Sequence, residues 1–145
     1  MEHPKDIRWE QRFNNFSRVF TLLYNELGKK EIDSFDQLQQ EGLIQRFEYT
    51  FELLWKTLKD YLEHEGAEID IISPKNVFKT AAETYLLERM DVDGEILIKM
   101  LYSRNQLSHI YDFEKFKAIL AQIKIEYLMQ IEKIHIFLSN KILLE

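Results

Sequence analysis

The chain has 145 residues, no cysteine, and a net charge of −6 from 19 Lys and Arg against 25 Asp and Glu. This length fits one domain over residues 1–145, and the lack of cysteine excludes a disulfide scaffold, a thiolate zinc site and a cysteine nucleophile. An acidic chain is a poor candidate for extended nucleic-acid binding, because that affinity comes mainly from neutralising phosphates. A small site for one phosphate remains compatible with the composition.

The N-terminal segment is polar, and the sequence contains no run of about 18 apolar residues. Neither a signal peptide nor a membrane span is therefore expected. We predict a soluble protein of the cytoplasm that makes no membrane contact. The aromatic fraction of 13% is rich for a small domain, and part of it is expected at a subunit interface, where aromatic residues are enriched.

Apolar residues recur at steps of three and four from the first predicted element onward, which is the period of a helix. The first helix is predicted over 9–27 and ends at Gly28. The second is predicted to begin at Ser34 or Asp36 and to run to 65. A third, short helix begins at Ser73-Pro74, a good N-cap followed by a proline at the first helical position, and ends near 86 or 87.

Asp93 is predicted to cap a fourth helix that ends near 108 or 109, and Asp112 to cap a long fifth helix that ends near 143. No segment has the period-2 alternation of a strand. The sequence therefore predicts an all-α fold, an antiparallel up-and-down four-helix bundle with one additional short helix.

Polar side chains are concentrated between residues 104 and 112, where one predicted helix ends and the next begins: Arg104, Asn105, Gln106, Ser108, His109, Tyr111 and Asp112. An arginine offers a permanently charged fork to phosphate oxygens, and a histidine can move a proton near neutral pH. Positions five apart on an ideal helix lie about 140° apart. Arg104 and His109 therefore converge only if the helix breaks near His109 or if two chains each contribute a copy.

The residues alone leave two interpretations of this segment open. In the catalytic interpretation, His109 moves protons, Arg104 stabilises the developing charge on a phosphate and Asn105 orients either group, which suffices for a ribonuclease that uses no metal. In the structural interpretation, Arg104 pairs with a carboxylate and His109 caps the helix. Spacing alone favours the structural interpretation, because cations near helix C-termini are common.

Two weaker patterns concern carboxylates. Glu132-x-x-His135 has the spacing of a di-iron ligand pair, but such a bundle needs a second pair, which the sequence lacks. With no phosphate-binding glycine loop either, we predict no metal site and no cofactor. Glu52 precedes Lys56 by four residues, which favours a surface ion pair. The alternative is that Glu48 or Glu52 reaches Arg104.

Three stretches together carry a family resemblance. They are QRFEYTFELLWKTLKDYL at 45–62, ISPK at 72–75, and RNQLSHIY at 104–111, which contains Arg-x-x-x-x-His-x-Tyr with Asn directly after the Arg. The last stretch resembles the signature of HEPN-domain proteins. The three in order resemble the nucleotidyltransferase substrate-binding family, whose members are usually encoded beside a minimal nucleotidyltransferase.

The resemblance implies a bundle that forms homodimers in which two Arg/His motifs approach each other. It implies that the chain is a subunit that binds a separately encoded minimal nucleotidyltransferase, in a module of the toxin–antitoxin type. The alternative it implies is a metal-independent ribonuclease toxin acting on RNA, with Arg104 and His109 as catalytic residues and Asn105 in support. The nucleotidyltransferase would silence this toxin by adding AMP to Tyr111. The third hypothesis is a plain helical scaffold in which Arg104 and His109 are structural. Whether the chain binds RNA or a nucleotide stays open.

Overall fold

The computed structural model describes residues 4–110 and 112–144, which form helices and no strand. The helices are α1 (Pro4–Leu23), α2 (Gln37–His64), α3 (Pro74–Glu83), α4 (Leu86–Met90), α5 (Gly94–Gln106), α6 (Phe113–Gln122) and α7 (Leu128–Leu144). A π-helical turn, Tyr24–Gly28, extends α1, and another, Ile123–Tyr127, joins α6 to α7. The predicted all-α class is confirmed. Over the same residues, no helix has both the length and the apolar composition needed to cross a bilayer.

The first helix begins at Pro4, five residues before the predicted start at residue 9. The four later predicted starts are confirmed, because each has a side chain that accepts a hydrogen bond from the first turn. These N-cap residues are Asp36, Ser73, Asp93 and Asp112. At α2 the cap is reciprocal: the Gln39 backbone N–H donates to Asp36 at 2.8 Å, and the Asp36 backbone N–H donates to the Gln39 side chain at 2.9 Å. Such a capping box satisfies two N–H groups that lack a partner within the helix.

The third predicted helix is two helices in the structure. Tyr85 adopts a left-handed conformation with φ of 62°, which ends α3 and begins α4. The turn buries the apolar side chains that follow it, Leu86, Leu87 and Met90. The chain thus departs from one straight helix because burial of these three side chains outweighs the backbone strain at a single residue.

The core fills the space between α1, α2, α5 and α6–α7. Its largest fully buried side chains include Trp9, Phe16, Phe47, Phe51 and Tyr127. Tyr127 stacks on Phe47 with ring centres 5.9 Å apart, so the C-terminal half of the chain packs directly on α2.

Helix α1 is joined to the C-terminal helices by polar contacts at two levels. Ser17 Oγ lies 2.8 Å from His135 Nε2, and Lys124 Nζ donates to the carbonyl oxygens of Leu27 and Lys30, each at 2.7 Å. Residue numbers rise along α1 as they fall along α6–α7, so the two segments run antiparallel. Lys124 thus supplies hydrogen bonds to one carbonyl group in the last residues of the π-helical turn that extends α1 and to one just beyond it, where helical partners end.

Helix α5 packs antiparallel on α7 and the π-helical turn before it. The Asp93 backbone N–H donates to Gln130 Oε1 at 3.0 Å, and Ser103 Oγ lies 2.7 Å from the Tyr127 hydroxyl at the other end of the helix. These directions are compatible with the antiparallel bundle that the sequence predicts.

Candidate functional site

Helix α5 fixes the direction in which Arg104 points. Leu97 and Met100 are fully buried, and Ser103 contacts the buried Tyr127. These contacts turn one face of α5 toward α7 and the core. Arg104, the next residue, lies about 100° around the helix and reaches α2.

Arg104 forms an ion pair with Glu52 of α2, in which the Nη2 group donates to Oε1. Its guanidinium carbon also lies 6.0 Å from the centre of the Phe51 ring, within the range of a cation–π contact. The side chains of Arg104 and Glu52 are 33% and 29% exposed. Two residues 52 positions apart thus form one partly solvent-accessible charge pair.

Glu52 makes three polar contacts at once, which include both the predicted pair with Lys56 and the alternative contact with Arg104. Lys56 Nζ lies 3.6 Å from Oε2, and the Trp55 indole N–H donates to the same oxygen at 3.2 Å. The preferred prediction named only Lys56. The alternative, a carboxylate that reaches Arg104, is observed as well, since α5 crosses α2 at this turn.

A second carboxylate, Glu48, lies one helical turn before Glu52. Burial raises the pKa of Glu48, while the positive charge of Arg104 partly lowers it. Arg104 is therefore surrounded by more acidic than basic side chains from α2. A phosphate that bound this arginine would have to compete with carboxylates already in place.

Asn105 and His109 lie at the solvent-exposed end of the same helix. Asn105 is exposed and accepts a hydrogen bond from Arg104 Nη1 at 3.2 Å. The α-helix ends at Gln106, and a 3-10 turn, Leu107–His109, follows. Within the part of the chain that the structure describes, the exposed His109 ring makes no hydrogen bond or ion pair.

This ending differs from the straight helix for which the 140° separation was calculated. The fourth helix was predicted to continue to 108 or 109, whereas helical hydrogen bonding tightens after Gln106 and the backbone becomes extended at Ile110. The structure thus brings Arg104, Asn105 and Glu52 into contact and places His109 on the turn that follows. Tyr111 lies outside the described residues.

The two residues of the weak metal pattern on α7 make contacts with α1 and the π-helical turn after it. His135 lies among the rings of Phe13, Phe16 and Phe20, with ring-centre distances of 5.3–6.0 Å. The carboxylate of Glu132 raises the pKa of Tyr24 through its charge and through a hydrogen bond. Among the side chains that the structure describes, at residues 8–110 and 112–144, no cluster of three His, Asp or Glu is arranged to hold a metal ion.

Comparison with known protein families assigns the chain to one of them. The family model described as "Nucleotidyltransferase substrate binding protein like" matches residues 11–140, which include α2, α5 and the turn that carries His109. No curated protein matched the chain. Because the match covers most of its length, the chain belongs to the nucleotidyltransferase substrate-binding-like family.

Proposed function

We propose that this chain is the binding subunit of a two-component module whose second component is a separately encoded minimal nucleotidyltransferase. Membership of the family supports a binding role. The observation that favours binding over catalysis is the ion pair between Arg104 and Glu52. An arginine held by a carboxylate within its own chain is a poor phosphate ligand until that carboxylate moves.

The test is co-expression of the tagged chain with the nucleotidyltransferase encoded beside it. We expect the two proteins to co-elute as one species in size-exclusion chromatography with light scattering. Separate elution at micromolar concentration would contradict the proposal, because a stable module of two subunits requires a lasting interface.

The proposed module contains two copies of this chain, with their Arg104 segments near each other. An exposed stripe on α5 supports this arrangement: Ile98, Tyr102 and Asn105 are spaced i, i+4, i+7 and so share one face beside Arg104. Ile98 is 43% exposed and Tyr102 is 65% exposed. Exposed aromatic and aliphatic side chains of this kind are typical of the centre of a subunit interface.

Light scattering on the isolated chain tests the dimer. Tyr102→Ala should shift the population toward monomer, since a central aromatic residue contributes strongly to an interface. Tyr85→Ala is the matched control, because Tyr85 is also exposed, at 68%, but lies between α3 and α4. A wild-type monomer, or equal behaviour of the two variants, would refute this part of the proposal.

A second candidate function, a metal-independent ribonuclease, is favoured by the His109 ring, which is exposed and has no hydrogen bond or ion pair with the residues that the structure describes. In this reaction His109 takes the proton of a ribose 2′-hydroxyl, the 2′-oxygen attacks the phosphorus, and the 5′-oxygen leaves with a proton from the His109 of the second copy. Arg104, supported by Asn105, would stabilise the charge on phosphate oxygens. AMP added to Tyr111 would silence the reaction.

RNA cleavage in the presence of a chelator distinguishes the two functions. The ribonuclease predicts cleavage by wild type, none by His109→Ala, and faster cleavage by Glu52→Gln, which frees Arg104. Inactive wild type with an unmodified mass, or cleavage retained by His109→Ala, would eliminate it.

Mass spectrometry after incubation with the nucleotidyltransferase and ATP tests whether AMP is added to Tyr111. Absence of an AMP adduct would count against this modification.

A further inference from the structure

A groove between α1 and α2 contains basic side chains that neither the Arg104 segment nor the family description involves. The cavity has a volume of about 260 Å³ and is lined by Arg8, Gln11, Arg12, Asn15 and Leu53. The described residues of its lining contribute two guanidinium groups, two amides and no carboxylate. In a chain with a net charge of −6, this is a local concentration of hydrogen-bond donors with positive charge.

Arg12 is held in the groove by a buried carboxylate. Its Nε lies 2.9 Å from Asp60 Oδ2, and the Asp60 side chain is only 1% exposed. Burying a carboxylate is costly unless a cation compensates it, and Lys59 Nζ contributes at 3.4 Å. Because the buried carboxylate of Asp60 requires a nearby cation, it holds the guanidinium group of Arg12 in the groove.

The contact leaves donors of Arg12 available to a ligand. Asp60 Oδ2 accepts no hydrogen bond with normal geometry from a described residue, so the pair is mainly electrostatic. A guanidinium has five N–H donors arranged as a planar fork that matches two oxygens of a phosphate. Arg12 can therefore bind an oxyanion without giving up Asp60.

The rim of the groove adds donors of the same kind. Arg8 is exposed and forms no ion pair with an acidic side chain among those described. Arg18 Nη2 donates to Asn15 Oδ1 at 3.5 Å, which leaves the Asn15 amide N–H groups to donate elsewhere. The site is thus rich in donors and has few acceptors of its own.

We infer that this groove is a binding site for a phosphate group, in which Arg8 and Arg12 supply charge and Gln11 and Asn15 supply neutral hydrogen bonds. The volume is below that of pockets for drug-sized ligands, about 300–1,000 Å³, so the groove holds a phosphate or diphosphate and leaves any attached group outside. Leu53 directly follows Glu52, so the groove and the Arg104 contact lie about 100° apart around the same turn of α2.

Isothermal titration at low ionic strength tests the site with inorganic phosphate, inorganic diphosphate, ATP and adenosine. We expect diphosphate and ATP to bind and adenosine not to bind. Arg8→Ala combined with Gln11→Ala should weaken diphosphate binding about tenfold or more, since the double variant removes one positive charge and the hydrogen bonds that both side chains donate to the anion. Arg12→Lys retains the ion pair with Asp60 but loses the fork, so it should also weaken binding while circular dichroism stays unchanged.

Two control variants locate the binding. Lys115→Ala removes an exposed charge on α6 and should bind like wild type; an equal loss there would reduce the effect to net charge. Arg104→Gln should also bind like wild type, and loss in that variant would assign the anion to the Arg104 segment instead.

Absence of binding by any phosphate compound to wild type would overturn the inference. Binding of diphosphate but not ATP would restrict the ligand to the free ion. These outcomes are independent of whether a nucleotidyltransferase co-elutes.

Discussion

The ion pair between Arg104 and Glu52 is exposed enough for solvent to weaken it. With both side chains about one-third exposed, Glu52→Gln should lower the free energy of unfolding by less than about 1 kcal/mol. Urea denaturation measures this change, and Glu41→Gln, an exposed substitution on the same helix, is the control. A decrease in the free energy of unfolding of 3 kcal/mol or more, roughly the value for breaking a buried pair, would show that solvent is excluded from this ion pair.

A second prediction at the residue scale concerns His135. Burial lowers the pKa of His135 from 6.5, and the charge of Glu132 opposes this in part. The folded state therefore binds fewer protons than the unfolded state below about pH 6.5, so stability is complete above that pH and falls as the pH is lowered.

Urea unfolding of wild type and His135→Gln from pH 7.5 to about 5 measures this contribution. Glutamine can still contact Ser17 but does not titrate, so the stability difference between the two proteins should shrink as the pH falls. A difference that does not change with pH would show that protonation of His135 is not coupled to folding.

The sequence identified Arg104 and His109 as candidate site residues. It could not decide whether Glu52 contacts Lys56 or Arg104. The i, i+4 spacing identifies Lys56 as a neighbour because both residues are on one helix. The contact with Arg104 depends on how α5 crosses α2, and no local pattern encodes that crossing. The arginines of the α1–α2 groove did leave a signal, since Arg8, Arg12 and Asn15 are spaced i, i+4, i+7, but only the structure shows Asp60 beneath them.

At the scale of the element, the junction between α3 and α4 stores strain at Tyr85. For a non-glycine residue with a φ of 62°, the left-handed conformation is destabilising by roughly 1 kcal/mol. Tyr85→Gly should therefore raise the melting temperature, although the greater freedom of glycine in the unfolded chain offsets part of the gain. Tyr85→Ala removes the same exposed ring but keeps the strain.

Thermal denaturation followed by circular dichroism compares these two variants with wild type. We expect glycine to be more stable than alanine at this position. If alanine is the more stable of the two, the left-handed conformation does not persist in solution.

Helix starts were predictable and this junction was not, for one physical reason. The caps Asp36, Ser73, Asp93 and Asp112 satisfy N–H groups within three residues, so the information is local. The break at Tyr85 follows from the burial of Leu86, Leu87 and Met90 against the rest of the core. Tyrosine has no preference for a left-handed turn, so its identity carries no sign of the break.

At the scale of the whole molecule, the two ends of the chain stabilise each other. Helix α1 packs on α2 and contacts α7 through Ser17 and His135. We therefore expect a single cooperative unfolding transition, in which far-UV circular dichroism and tryptophan fluorescence give the same midpoint in urea. Trp9 reports on α1, where it is fully buried, and Trp55 reports on α2. Two separate midpoints would mean that the halves unfold independently.

The hydrogen bonds from Lys124 to Leu27 and Lys30 also have a consequence for synthesis on the ribosome. Lys124 follows Leu27 by 97 positions, and at about 5–20 residues per second it is made roughly 5–20 s later. Throughout that interval the carbonyl groups of Leu27 and Lys30 can bind water or a chaperone but not Lys124, and the apolar face that α7 will cover is open. The nascent chain is most vulnerable to aggregation in this window, which closes only when α7 has left the ribosomal tunnel.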